Sequence, residues 1–207
     1  MAREKSKIIR TGKKIQNSGL VAGTWGNVSI RLKDDEDKFA ITPSGMDYHE
    51  IEEKNIVIVD LDGKKIEGDS EPSTETPMHR QIYNKRDDVN AIVHTHSTFA
   101  SVLACNHKDI PPIIEDMVQI VGGKVKTADY ALPGSKELAE SAVKGLKDKK
   151  AVLLANHGPV SVGSNIDEAL MIAEIVEKSA KIYVFSKILG DPVELSDKDV
   201  SKMQEMF

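Results

Sequence analysis

The chain has a single cysteine, Cys105, among its 207 residues. A lone cysteine excludes a disulfide within the chain and is typical of a protein in a reducing compartment. Cys105 follows the apolar residues 102–104, so the sequence predicts a buried small side chain rather than a nucleophile.

Long hydrophobic runs and an excess of positive charge are also missing. No apolar run approaches the ~20 residues of a membrane span, and residues 1–5 lack the apolar core of a secretory signal, so we expect a cytoplasmic protein with no membrane association. The formal net charge of −5 gives no basic surface for nucleic acid, so an anionic ligand would need a local site. Length and composition are those of one globular domain, which we place at residues 1–207.

Strand and helix patterns are intermixed along the chain, which indicates an α/β or α+β fold. The predicted helices cover residues 4–18, 77–84, 98–105, 114–121, 136–146 and 166–189, the last with Asn165 as its N-cap. The predicted strands cover residues 28–32, 39–41, 91–96, 151–154 and 159–162, with a hairpin formed by 56–59 and 64–66.

Two histidines, His94 and His96, close the predicted strand 91–96. Side chains alternate faces along a strand, so both imidazoles would point to the same side and could bind one metal ion. Zinc normally takes three or four protein ligands, and His157, at the end of the apolar run 151–154, is the best third donor. The remaining histidines have no such partner and are predicted not to be ligands: His49, His79 and His107.

Several segments could hold an anion. The glycine-containing stretch 23–27 and the turn 42–45 offer free backbone amides. Pro77 suits a first helical position with Thr76 as N-cap, so Glu75 would lie at the start of a helix, which is a natural place for phosphate.

Five short motifs resemble those of the class II aldolase family, which also includes ribulose-phosphate 4-epimerases and adducin head domains. In chain order they are GTWGNVS at 23–29, ITPSG at 41–45, PSTE at 72–75, HTH at 94–96 and NHG at 156–158. The resemblance runs from the first helix to the C-terminus and is greatest to the fuculose-phosphate aldolases. It implies a three-layer α/β/α fold with a mostly antiparallel central sheet.

The resemblance also implies the parts of an active site. One Zn²⁺ per subunit, with another divalent metal ion as the alternative, would be held by His94, His96 and His157. Glu75 would be both a fourth metal ligand at rest and the catalytic acid/base. The phosphate of a sugar phosphate would lie among Gly26, Asn27, Ser44, Gly45, Ser73 and Thr74.

The reaction implied is reversible cleavage of a ketose 1-phosphate, through an enediolate, to dihydroxyacetone phosphate and an aldehyde. A pentulose-5-phosphate 4-epimerase, a methylthioribulose-phosphate dehydratase and a non-catalytic adducin-like module remain alternatives. The epimerases carry aspartate where this chain has Glu75, which favours aldolase chemistry, and loss of the metal ligands would be expected of an adducin-like module.

The resemblance further implies a homotetramer with sites at subunit interfaces. A tyrosine that a neighbouring subunit supplies as general acid in fuculose-phosphate aldolases corresponds here to Asp116. Asp116 is therefore the predicted proton donor at the aldehyde oxygen.

Overall fold

A computed structural model describes residues 1–33 and 35–206 of the chain. In the described residues the helices are α1 (Ala2–Asn17), α2 (Thr76–Lys85), α3 (Thr98–Cys105), α4 (Glu115–Val121), α5 (Lys136–Leu146), α6 (Ile166–Leu189) and α7 (Asp197–Met206), with a short 3₁₀ turn at Glu53–Asn55. The strands are β1 (Asn27–Leu32), β2 (Asp35–Ile41), β3 (Val57–Asp60), β4 (Lys65–Glu67), β5 (Ala91–His94), β6 (Lys126–Ala128), β7 (Ala151–Leu154) and β8 (Pro159–Gly163).

The eight strands form one sheet in the order β4-β3-β2-β1-β5-β8-β7-β6. Neighbouring strands are antiparallel except β6 and β7, which are parallel. The sheet is therefore mostly antiparallel, as the resemblance implied.

Helices cover both faces of this sheet, which makes the three-layer α/β/α arrangement. Val93 of β5 packs in a cluster with α1 and α6, whereas its neighbour Ile92 packs with α2 and α5 on the opposite face. The same alternation occurs in β7, where Leu153 contacts the α3, α4 and α6 side and Val152 the α2 and α5 side. Period-two alternation with apolar residues on both faces is expected for strands buried between two helical layers.

Most predicted elements occur at or near their predicted bounds, and the differences have local causes. The strand that was expected to run to His96 ends at His94, because the His96 amide donates to Leu20 O and the chain leaves the sheet. The α2 helix begins at Thr76, so Glu75 and not Thr76 occupies the N-cap position. Strand β2 begins at Asp35, while β6 and α7 were not predicted.

The expectation that Cys105 is buried is wrong. Cys105 is the last residue of α3 and is exposed, whereas the preceding Ala104 is completely buried. Ala100, Leu103 and Ala104 form the buried face of this short helix, whereas Val102 and Cys105 lie off that face.

The single domain at 1–207 stays a prediction, although every strand of the described chain joins the one sheet. Across residues 1–33 and 35–206 we find no helix that combines the length and apolarity needed to span a bilayer.

Candidate active site

The three predicted zinc ligands meet at one end of the central strands. His94 ends β5, opposite Val160 of β8, and His157 lies in the turn that joins β7 to β8. This turn presses against the chain after β5, since a Cβ on Gly158 would lie only 2.3 Å from Thr95 O. Only glycine permits this close approach, which brings His157 beside His94 and His96.

The histidine side chains converge on a single point. The ligand atoms that His94, His96 and His157 can offer all lie within 4.8 Å of one another. The Nε2 atoms of His94 and His96 are 3.1 Å apart, near the ~3.3 Å expected between two imidazole nitrogens on a tetrahedral zinc ion. Their spacing therefore fits a shared cation.

A hydrogen bond orients the ring of His94, and burial keeps the rings of His96 and His157 neutral. His94 Nδ1–H donates to the carbonyl oxygen of Pro159 at 3.0 Å, which orients the ring so that Nε2 faces the cluster. Burial and the neighbouring His94 lower the pKa of His96 to about 3 and the pKa of His157 to about 4. Neutral imidazole is the form that binds metal.

Glu75 supplies a carboxylate to the same cluster. Its Oε2 lies 2.9 Å from His94 Nε2, and its Oε1 lies 3.4 Å from His157 Nε2. Burial alone would raise the pKa of Glu75, but the adjacent His94, His157 and Asn27 outweigh burial and hold this pKa below its ordinary range. The side chain is buried, yet Oε1 has no hydrogen-bond partner among the described residues. A buried carboxylate oxygen without a hydrogen-bond partner, beside three imidazoles, fits a divalent cation.

One cavity joins this cluster to the predicted phosphate residues. Its volume is about 420 Å³, which is within the range usual for small-molecule sites. All six predicted phosphate residues line it, together with Glu75, His96 and His157; the six are Gly26, Asn27, Ser44, Gly45, Ser73 and Thr74.

Backbone pairing holds the two phosphate turns against each other. Ser44 N donates to Glu71 O at 2.9 Å, and Ser73 N donates to Thr42 O at 3.1 Å, so the 42–45 turn and the start of α2 lie side by side. Gly26 lets the third segment, residues 23–27, lie against the end of β5. At its φ of +78° a Cβ would lie 2.8 Å from His94 O.

Sequence reasoning did not anticipate the aromatic residues at this cavity. Trp25, the only tryptophan, has 66% of its surface exposed, and its ring centroid is 5.5 Å from that of His96. Tyr130 also lines the cavity and is exposed. The GTWGNVS motif contained the tryptophan, but nothing in its spacing indicated that the indole would lie beside His96, a predicted metal ligand.

The predicted proton donor lies apart from this cavity within one chain. Asp116, on α4, pairs with Lys178 of α6 and does not line the cavity. The histidines predicted not to be ligands also stay outside the three-histidine cluster of the described residues. His107 contacts the cluster indirectly, because its Nε2 is 2.8 Å from Oδ1 of Asn156, the residue before His157.

Comparison with known proteins identifies the family. Residues 6–184 match the family model "Class II Aldolase and Adducin N-terminal domain". A 5-deoxy-D-ribulose 1-phosphate aldolase of Bacillus thuringiensis serovar kurstaki is 39% identical over 207 residues, which cover 100% of this chain and 96% of that protein. An L-fuculose phosphate aldolase of Haemophilus influenzae is 40% identical over 199 residues, covering 96% of this chain and 89% of that protein.

The fold agrees with these sequence matches. A solved structure of an L-fuculose 1-phosphate aldolase superposes with a TM-score of 0.96 at 42% identity and covers 100% of this chain and 97% of that one. The family model and the full-length relatives, which are named as aldolases, show that the chain belongs to the class II aldolase family and is an enzyme of the lyase class.

Proposed function

We propose that this enzyme is a zinc-dependent aldolase that cleaves a ketose 1-phosphate reversibly to dihydroxyacetone phosphate and an aldehyde. The proposal rests on one shared cavity. In it the six predicted phosphate residues adjoin Glu75 and two of the three clustered histidines. Such a cavity can hold a phosphate at one end and the carbon atoms next to it at the other.

The donor set supports zinc. His94, His96 and His157 would hold the ion, and three histidines are a known ligand set for catalytic zinc; Glu75 would fill the fourth position at rest. When bound, zinc supplies a Lewis acid that stabilises negative charge developing on substrate oxygens.

The six predicted phosphate residues would bind and orient the phosphate of the substrate. Ser44 and Thr74 are exposed to the cavity and offer hydroxyl groups, while the backbone N–H groups of Glu75 and Thr76 at the start of α2 donate to Oγ and O of Ser73 and hold that turn in place. The protein is negatively charged overall, so recognition of an anion depends on this local arrangement.

Glu75 would move the proton at substrate C3. During cleavage the bond between C3 and C4 breaks and its electron pair stays on the C3 side, as an enediolate. Glu75 in its protonated form would give its proton to C3, which yields dihydroxyacetone phosphate; in the synthetic direction the carboxylate would remove that proton. The unpartnered Oε1 supports a carboxylate that exchanges partners during the reaction.

A second group must take the proton from the C4 hydroxyl as the aldehyde forms. We keep Asp116 as the predicted residue, acting on the site of a neighbouring subunit, because it lies away from the cavity of its own chain. A homotetramer with sites at subunit interfaces is part of this proposal.

Relatives support two substrates to test first. One relative is named for 5-deoxy-D-ribulose 1-phosphate and another for L-fuculose phosphate, at 39% and 40% identity. Both names describe ketose phosphates, and we propose that the substrate of this enzyme is one of the two.

A substrate panel tests the proposal. Purified enzyme with added zinc is mixed with 5-deoxyribulose 1-phosphate, fuculose 1-phosphate, a pentulose 5-phosphate and methylthioribulose 1-phosphate, and the products are identified. We expect release of dihydroxyacetone phosphate from a ketose 1-phosphate. Epimerised or dehydrated product without carbon–carbon cleavage would transfer the assignment to the epimerase or dehydratase alternative, and no product from any compound would overturn catalysis on these substrates.

A further inference from the structure

Behind Glu75 the protein contains a continuous chain of buried polar side chains. Asn27 Nδ2 lies 3.3 Å from Glu75 Oε2, and Asn27 Oδ1 lies 2.5 Å from His79 Nε2. On the other side of the ring, His79 Nδ1 is 2.6 Å from Ser29 Oγ, which is 2.7 Å from the hydroxyl of Tyr83. His79, Ser29 and Tyr83 have no exposed surface, and Asn27 and Glu75 are only 4% and 5% exposed.

Two regular spacings produce this chain. Asn27, Ser29 and Arg31 are two apart along β1 and share one face of the strand. From the N-cap of α2 onwards, Glu75, His79 and Tyr83 are four apart. Arg31 continues the series, since its Nη2 donates to Tyr83 O at 2.7 Å.

The direction of every hydrogen bond in the chain is determined. An ionised Glu75 can only accept, so Asn27 must donate through Nδ2 and accept through Oδ1. His79 Nε2 must therefore carry the proton, and Nδ1 accepts from Ser29, whose oxygen then accepts from Tyr83. Turning Asn27 over would bring its Oδ1 against the carboxylate, with two acceptors in contact. Burial and the nearby His94 lower the pKa of His79 to about 3, in agreement with a neutral ring that has one N–H.

We propose that His79 is a positioning residue for the aldolase reaction: it fixes the amide of Asn27 so that Nδ2 holds the Glu75 carboxylate in place for proton transfer at C3. This role rests on the proposed function of Glu75. Asn27 would then have a second role besides its predicted contact with the phosphate. The same role explains why a fully buried face of β1 is polar. Polar groups are costly to bury, and here each one is satisfied by the next, up to the carboxylate.

The tautomer of His79 provides a test on the unaltered protein. Isotope-labelled histidine in the full chain is examined by NMR at neutral pH, and the His79 signals are assigned by their loss in His79→Gln. We expect a neutral ring protonated at Nε2. A ring protonated at Nδ1 would overturn the proposal, whether or not any variant folds.

Kinetics of matched variants provide the second test. His79→Leu removes the Nε2 donor, whereas His79→Gln keeps an N–H group at similar reach, and His49→Leu makes the same change at an exposed histidine outside the site. We expect kcat to fall about 10- to 100-fold in His79→Leu, as is usual when a partner of an active-site ligand is lost, with zinc content unchanged. His79→Gln should recover most of that kcat, and His49→Leu should match the wild type.

The outcomes distinguish failure of the positioning role of His79 from failure of the proposed aldolase function on which it rests. Release of no dihydroxyacetone phosphate by the wild type from any ketose 1-phosphate would overturn the proposed function, and the positioning role with it. An active wild type whose kcat is unchanged in His79→Leu, or lowered equally by Leu and by Gln, would overturn the positioning role alone.

Discussion

Replacing Glu75 with glutamine removes one ionisable oxygen at the centre of the proposed reaction and changes almost nothing in shape. The amide oxygen can still accept from Asn27 Nδ2, where the carboxylate Oε2 now accepts at 3.3 Å. The amide nitrogen would then take the place of Oε1, which lies 3.4 Å from His157 Nε2 and has no hydrogen-bond partner. The fold and the three imidazole ligands should therefore be retained.

The expected loss follows from the role of the carboxylate. General acid–base catalysis contributes about 10²- to 10⁴-fold, so kcat for cleavage of the ketose 1-phosphate should fall by at least about 100-fold, or about 2.7 kcal/mol in the barrier. Zinc content should stay near one ion per chain, because His94, His96 and His157 remain as ligands.

The assay measures dihydroxyacetone phosphate by a coupled reduction and zinc by elemental analysis of the same sample. Glu71→Gln is the matched control. Glu71 is an exposed glutamate four residues before Glu75, so its substitution makes the same change in net charge. Loss of zinc from Glu75→Gln would show that Glu75 is mainly a structural ligand. Retention of zinc together with a kcat within about tenfold of wild type would refute its role as acid/base.

Three further predictions concern metal binding, pH and the proton donor. Zinc added to metal-free protein should change the fluorescence of Trp25, the only tryptophan, because its ring is 5.5 Å from that of His96; His96→Ala should abolish both the change and zinc retention. Because the unfolded chain protonates His79 below pH ~6.5 and the folded chain does so only near its pKa of about 3, stability should fall as pH drops from 6.5 to 5, by about 2 kcal/mol from this residue. Denaturant unfolding of metal-free protein at both pH values should show that loss reduced in His79→Gln. Asp116→Asn should lower kcat more than Tyr130→Phe does; the reverse order would assign the proton transfer to Tyr130.

Local sequence patterns predicted the elements that have strong end signals. Asn165 accepts from Glu168 N and caps α6, whose observed bounds Ile166–Leu189 match the prediction. The strands β7 and β8 were equally clear, since each is a short apolar run that ends at a turn.

Elements that depend on distant partners were missed. Strand β6 is three residues, two of them polar, and it exists because Lys126–Ala128 pairs with β7. Helix α7 has no buried residue, and its apolar stripe is limited to Val200, Met203 and Met206, which is too short to stand out in the sequence.

The three-histidine cluster could be predicted from His94 and His96 plus one further histidine, but the assembly behind Glu75 could not. The alternation of Val28, Ile30 and Leu32 predicted strand β1, but it indicated no partner for the polar residues between them. Both faces of β1 are buried, and only the packing of α2 against the strand shows that its polar face is matched to His79. The polar residues two apart in β1 and four apart in α2 are visible in the sequence. That they pair with each other depends on the tertiary packing of α2 against β1.

The dependence of turnover on zinc at the three histidines is the central claim. Metal-free wild-type enzyme is titrated with zinc while dihydroxyacetone phosphate release from the active ketose 1-phosphate is followed, with His96→Ala in parallel. We predict no turnover without metal, full activity at one zinc per chain, and no recovery in His96→Ala at the same zinc concentration. Full activity in the metal-free wild type, or in His96→Ala without bound zinc, would contradict the account.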